Sequence, residues 1–193
     1  MIQIEHLHKK FDHKILFDDF SYTFKENGII AIKGKSGVGK TTLLRMIADL
    51  DKKYSGNILN VPEKISFVLQ EDCLLPNCNA LENVALVLGN DKKAFEIAEK
   101  WLIKMGMEQD LYTYPKAMSK GMKQRVSIAR ALAYDAPVIL LDEPFNGIDS
   151  KGCYAIMDLL KDCSKTKLCM IITHHEEYLQ YLNCECIEIE SAL

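Results

Sequence analysis

Ile29-Ile30-Ala31-Ile32-Lys33-Gly34-Lys35-Ser36-Gly37-Val38-Gly39-Lys40-Thr41-Thr42-Leu43-Leu44 is the stretch on which the fold turns. Residues 29–32 are a short unbroken apolar run, the pattern of a strand buried on both faces. The run enters a loop with the spacing G-x-x-x-x-G-K-T, and residues 42–48 then have helical character. Glycines at 34, 37 and 39 permit tight turns and close backbone approach, so that the loop's N–H groups can face phosphate. The helix that follows adds the favourable end of its dipole. Gly34, Ser36, Gly37, Val38, Gly39, Lys40, Thr41 and Thr42 are therefore candidate nucleotide-binding residues. In this motif Lys40 meets the β- and γ-phosphates of ATP, the Thr41 hydroxyl holds Mg²⁺, and Thr42 caps further phosphate oxygens.

Outward from the loop, residues 65–69, 138–141 and 168–173 are further buried-strand candidates, and residues 80–88 and 92–105 carry helical periodicity. Apolar strands separated by helices predict a mostly parallel α/β sheet. Residues 2–7 and 15–24 read as a small antiparallel start, with a turn at residues 26–28. Val138-Ile139-Leu140-Leu141-Asp142-Glu143 ends in two acids, which sets carboxylates at the carboxyl edge of the sheet, where ligands bind in such folds. Asp142 is the candidate to support Mg²⁺, and Glu143 the candidate to orient or deprotonate the attacking water.

The 193 residues are 48% hydrophobic, enough for a proper core in one domain. A formal charge of -3, with both signs mixed along the chain, argues against nucleic acid as a partner. Seven cysteines without a C-x-x-C pair fit reduced thiols better than a disulfide framework, and Cys184 and Cys186 read as strand-end residues before metal ligands. The N-terminus lacks a secretory pattern, and no stretch approaches a membrane span. The expected location is the cytoplasm.

Met118-Ser119-Lys120-Gly121-Met122-Lys123-Gln124-Arg125 and the helical residues after it are similar to the signature segment of the ATP-binding cassette (ABC) family. The resemblance runs from about residue 2 to residue 175. It implies a P-loop NTPase of the ABC type: an α/β fold with a mostly parallel core sheet, an N-terminal antiparallel β subdomain, and a helical subdomain inserted at about residues 71–130 of a single domain, 1–193. It also implies that Ser119 and Gly121 contact the γ-phosphate held by a second copy, so that catalysis needs a head-to-tail homodimer around two ATP molecules. Lys120 stands where the family usually has glycine. Gln70 resembles the family's glutamine that senses Mg²⁺ and the γ-phosphate. Residues 147–149, with Asp149, resemble the loop that couples the two sites, and His174 resembles the switch histidine at the γ-phosphate. Phe11 is the candidate for stacking on adenine, with a core phenylalanine as the alternative. His175 is expected to face solvent, and His6, His8 and His13 receive no role.

Residues 70–76 and 81–86 are similar to importer subunits of the nitrate, sulfonate and taurine type, while residues 119–124 lean towards exporters. The resemblance thus implies an ATPase that drives transport through an integral membrane permease, import being favoured and export the alternative. Such a subunit sits on the inner face of the membrane, in some systems beside an extracytoplasmic solute-binding protein. A soluble, non-transport ABC ATPase and a small-molecule kinase with a phosphate loop are the remaining alternatives.

Overall fold

In the computed structural model, which describes residues 1–11, 14–71, 73–89 and 91–190, the apolar run at 29–32 lies in β3 (Gly28–Lys33). It joins a parallel five-stranded sheet with β5 (Ile65–Val68), β6 (Val138–Asp142), β7 (Leu168–Ile172) and β8 (Glu185–Glu188), in the order β5-β6-β7-β3-β8. β6 and β7 are buried along their whole length, which is why their sequences are unbroken rather than alternating.

Alternation survives in where each side chain goes. Val138 and Leu140 of β6 and Met170 of β7 join one core layer, with Leu43, Leu44 and Ile47 of α1 (Lys40–Ile47). Ile139, Leu141 and Ile171 join the other, with the remaining helices. The period of two thus feeds two cores from one strand. Truncating Leu140, which is fully buried, to alanine costs roughly 2–5 kcal/mol, because both transfer free energy and packing are lost.

The first core layer is covered further by an antiparallel sheet of β1 (Gln3–Phe11), β2 (Lys14–Thr23) and β4 (Ser55–Leu59), in the order β2-β1-β4. β4 has no apolar run. Only Ile58 of its five residues is even half-buried, so as an edge strand it left no periodic signal in the sequence. The hairpin of β1 and β2 has shifted register at several points and ends on the pair Phe11 and Lys14. His13, given no role from the sequence, lies outside the described residues, as does Asp72 within the importer-like stretch.

On the opposite face, α2 (Ala80–Ala85), α3 (Lys92–Lys104) and α4 (Lys120–Ala133) pack on one another. Leu102 and Met105 are buried there, with Trp101 half-buried against them, as the periodicity predicts. The helix expected over 80–88 is α-helical only to Ala85 and tightens into a 3₁₀ turn over Leu86–Leu88, ended by Gly89 at φ 107°. α5 (Ser150–Ser164) and α6 (Glu176–Leu182) complete the layer.

Candidate active site

β5, β6, β7 and β3 are consecutive in the sheet, and their carboxyl ends open on one cavity of about 450 Å³. The glycine-rich loop follows β3, Gln70 follows β5, Asp142 and Glu143 end β6, and His174 follows β7. All four groups line that cavity, with Phe11 at its rim. Residues spread over more than a hundred positions thus meet because parallel strands deliver all their carboxyl ends to one edge. A larger cavity, about 680 Å³, opens by the antiparallel sheet at Lys9, Phe17 and Tyr54, and contains none of these groups.

The loop's shape follows from its glycines. Gly34 has φ 138°, and a Cβ there would lie 2.4 Å from the carbonyl oxygen of Ile189. No side chain fits. Gly39 precedes α1 in a left-handed conformation with no side-chain cap, and the first turn contains no acid. The helix N-terminus therefore offers its N–H groups and dipole to an anion without an internal competitor. Lys40 Nζ donates to the carbonyls of Gly34, at 2.7 Å, and Lys35, at 3.0 Å. Val38 N donates to Lys35 O at 3.3 Å while its side chain is buried in the core, so Val38 anchors the loop from below.

Thr41 Oγ1 donates to Asp142 Oδ2 at 2.7 Å. Asp142 is buried, which pushes its carboxyl up from the ordinary range, against the pull of the Thr41 hydrogen bond. Glu143 is 5% exposed and sits at φ 50°, a left-handed conformation uncommon for a residue with a side chain. Burial first, then the Asp142 carboxylate, push its carboxyl up to about 7. His174 Nδ1 lies 3.0 Å from Glu143 Oε1. No donor among the described residues is aligned on that buried oxygen, so it makes no hydrogen bond. A buried carboxylate oxygen without an aligned donor, on a residue that lines the cavity, suits a water or ligand partner.

Phe11 is 50% exposed, so its ring is not a core residue, and the Lys9 ammonium lies 4.4 Å over one of its faces. Gln70 is exposed at the cavity wall, and His174 is exposed while Glu143 beside it is not. His175 is also exposed, and His6 and His8 pair with Asp19 and Asp18 on the surface. Cys184 and Cys186 flank the start of β8 as free thiols. No cluster of metal-ligating side chains of the His, Cys, Asp and Glu type occurs among the described residues.

Ser119, Gly121 and Asp149 do not line this cavity. Ser119 caps α4, its hydroxyl accepting from Met122 N at 3.2 Å, and is exposed. Gly121 is buried, and a Cβ on it would stand 2.2 Å from Gly147 O. Asp149 caps α5 by accepting from Gly152 N at 2.9 Å and pairs with Arg125 at 2.6 Å, which together hold its carboxyl below the usual range.

Lys14 is a cavity residue that motif spacing does not mark. It sits opposite Phe11 in the hairpin and its ammonium donates to Gly37 O at 2.7 Å. Register alone could have found it, since residues paired across an antiparallel ladder share a face. Asn83 is the other. Fully buried in α2, it accepts from Leu75 N and donates to the carbonyls of Leu75, Cys78 and Asn79, so one side chain ties down the loop after Gln70.

The family model for the ABC transporter matches residues 17–146. The arginine transport ATP-binding protein ArtM of Bacillus subtilis is 35% identical over 91% of this chain and 81% of its own length. The aliphatic sulfonates import ATP-binding protein SsuB 2 of Mesorhizobium japonicum is 36% identical over 91% and 71%, and the ergothioneine transport ATP-binding protein EgtV of Helicobacter pylori is 30% identical over 99% and 98%. Among solved structures, a dimeric post-hydrolysis state of the ATP-binding cassette MJ0796, bound to ADP and Pi, superposes with a TM-score of 0.87 at 30% identity, covering 98% of this chain and 94% of that one. The phosphate loop, the acidic end of β6 and the arrangement of both sheets all agree with that likeness, and the chain belongs to the ABC transporter family as one of its ATP-hydrolysing subunits.

Proposed function

We propose that two copies of this chain power solute import by hydrolysing ATP between them, docked on the inner face of a membrane permease. The observation that carries this reading is a separation. Ser119 and Lys120 are exposed at the start of α4, away from the cavity that holds Lys40, Glu143 and His174. A signature segment outside its own site has work to do in another copy's site.

Within one site, Phe11 stacks on adenine and the loop from Gly34 to Thr42 cradles the phosphates, Lys40 exchanging its two carbonyl partners for β- and γ-oxygens. Thr41, Asp142 and the Gln70 amide present hard oxygens, two of them already 2.7 Å apart, which fits the few-ligand sites in which Mg²⁺ also takes phosphate and water. When bound, the ion neutralises charge on the β- and γ-phosphates. Glu143 orients the attacking water through its carboxylate and takes its proton, and His174, whose Nδ1 lies 3.0 Å from Glu143 Oε1, faces the γ-phosphate. Ser119 of the second copy keeps a free O–H after accepting from Met122 N, and that O–H completes the γ-phosphate's shell. Gly121 backs it by letting α4 close on residues 147–149.

Two of the named relatives are transport ATP-binding proteins, for arginine and ergothioneine, and the third is an import ATP-binding protein for aliphatic sulfonates; import rests on the third and on the importer-like residues 70–76 and 81–86. The loop at 70–79 and the helices α2 to α4 form the helical subdomain that receives the permease, with Leu75 exposed at its surface.

Glu143→Gln tests the whole scheme: turnover is lost, ATP binding is kept, and an ATP-bound dimer accumulates in sedimentation velocity. A monomer that phosphorylates an added acceptor instead would overturn it. Lys40→Ala weakens ATP binding itself, read by titration with a fluorescent ATP analogue.

A further inference from the structure

Arg125 has no part in the site described above, yet three elements meet on it. It lies in the second turn of α4 with its side chain mostly buried. Nη1 donates to Met105 O, at the C-terminal cap of α3, at 2.6 Å, and Nη2 donates to Asp149 Oδ2, at the N-terminal cap of α5, at 2.6 Å. Glycines make its path. A Cβ on Gly152 would be 2.1 Å from Nη2, and one on Gly106 would be 3.3 Å from Nη1.

Residues 147–149 are thereby held to α4 twice. Asp149 is held by Arg125, and Gly147 O lies against Gly121, one helical turn earlier. The same segment begins at Glu143, whose left-handed backbone fixes the direction in which the chain leaves β6. Asp149 is thus six residues along the chain from Glu143. A planar fork serves two acceptors in different elements, whereas an ammonium is a point charge on a flexible stem.

We propose that Arg125 is a positioning residue for hydrolysis: it fastens the end of α3, the Ser119-bearing end of α4 and the 147–149 loop into one body, which moves as a unit when two copies close on nucleotide. This rests on the two-copy reading above. Arg125 does not touch nucleotide, so its loss acts on the closed state and not on the first binding step.

The test uses the full chain with Arg125→Met, Arg125→Lys and Asp149→Asn, the last keeping the cap on Gly152 while removing the charge. Affinity for a fluorescent ATP analogue, kcat, KM and thermal midpoint are measured. In the Glu143→Gln background, the ATP-bound dimer fraction is also measured. For Arg125→Met, kcat and dimer fraction fall by about tenfold or more while analogue affinity stays within about twofold, the split expected of a residue that acts only after binding. Arg125→Lys and Asp149→Asn lose less. The losses in Arg125→Met and Asp149→Asn are non-additive in the double variant, as for partners in one network. Analogue affinity falling in step with kcat overturns the proposal, as does a lower thermal midpoint with wild-type kcat and dimer fraction. If Arg125→Met does not fold, the same split in Arg125→Lys and Asp149→Asn decides. If Glu143→Gln alone forms no dimer, the two-copy reading fails, and the kcat-against-affinity split still rules on the fastening by Arg125.

Discussion

In the proposed mechanism Glu143 is the base, and its environment would set the pH at which it works. Its carboxyl is pushed up to about 7 by burial and by Asp142, and a general base is inactive in its protonated form. Since kcat/KM reports the free enzyme, it should rise with pH on an acidic limb with an apparent pKa near 7. A profile flat between about pH 6 and 8 would remove Glu143 as the base. The same shift has a stability consequence, with a definite sign. A carboxyl raised in the folded state holds its proton more tightly there than in the unfolded chain. Folding therefore loses stability as pH rises from the unfolded value of 4.5 through the folded value of about 7. Glutamine does not titrate. Without nucleotide, Glu143→Gln should match the wild type in thermal midpoint at low pH and exceed it at pH 8, a trend read by melting both proteins across the range.

At the scale of elements, Asn83 shows how one buried polar group shapes a loop. It satisfies both its amide and its carbonyl on the backbone of residues 75–79, beside a capping box in which Asn79 and Glu82 satisfy each other's backbone N–H. Asn83→Ala strands a buried N–H and several carbonyls, and should destabilise by about 2–3 kcal/mol. In a chain of this size that is a fall of about 4–12 °C in thermal midpoint, measurable by calorimetry, and unchanged melting would show that the loop is held elsewhere. The sequence made some of this legible and hid the rest, for physical reasons. β3, β6 and β7 were readable because burial on both faces demands unbroken apolar runs, and the loop at Gly34 because only glycine fits beside Ile189 O. Gln70 and His174, which line the cavity, were readable only through resemblance, and the role given to Ser119 rests on resemblance alone, since glutamine, serine and histidine at strand or helix ends carry no periodic signal. β4 was missed because an exposed edge strand needs no apolar run, and Lys14 because its place depends on hairpin register. The bond between Arg125 and Asp149 joins residues 24 apart whose elements are brought together only by packing.

For the whole molecule, the decisive fact is that the phosphate cavity and the exposed end of α4 are separate places on one chain. In the proposed two-copy arrangement, each site takes the phosphate loop of one chain and Ser119 of the other. A defect in Lys40 and a defect in Ser119 then lie in the same site when they are on different chains, which leaves the other site whole. Lys40→Ala and Ser119→Arg should each be inactive alone and should regain ATPase activity when mixed. Mixing yields up to half heterodimers with one intact site in two, so the recovered rate should reach at most about a quarter of the wild-type rate. Recovery should grow with total protein concentration, because it depends on association. A mixture as inactive as its parts at every concentration would mean either that one chain supplies a whole site or that both sites must be intact. Adding Ser119→Arg to Lys40→Ala in one chain and mixing it with wild type separates these. That heterodimer has two half-damaged sites if each site is shared, so the wild-type rate should fall as the double variant is added. If a single chain supplies its own site, the wild-type rate should stay constant instead.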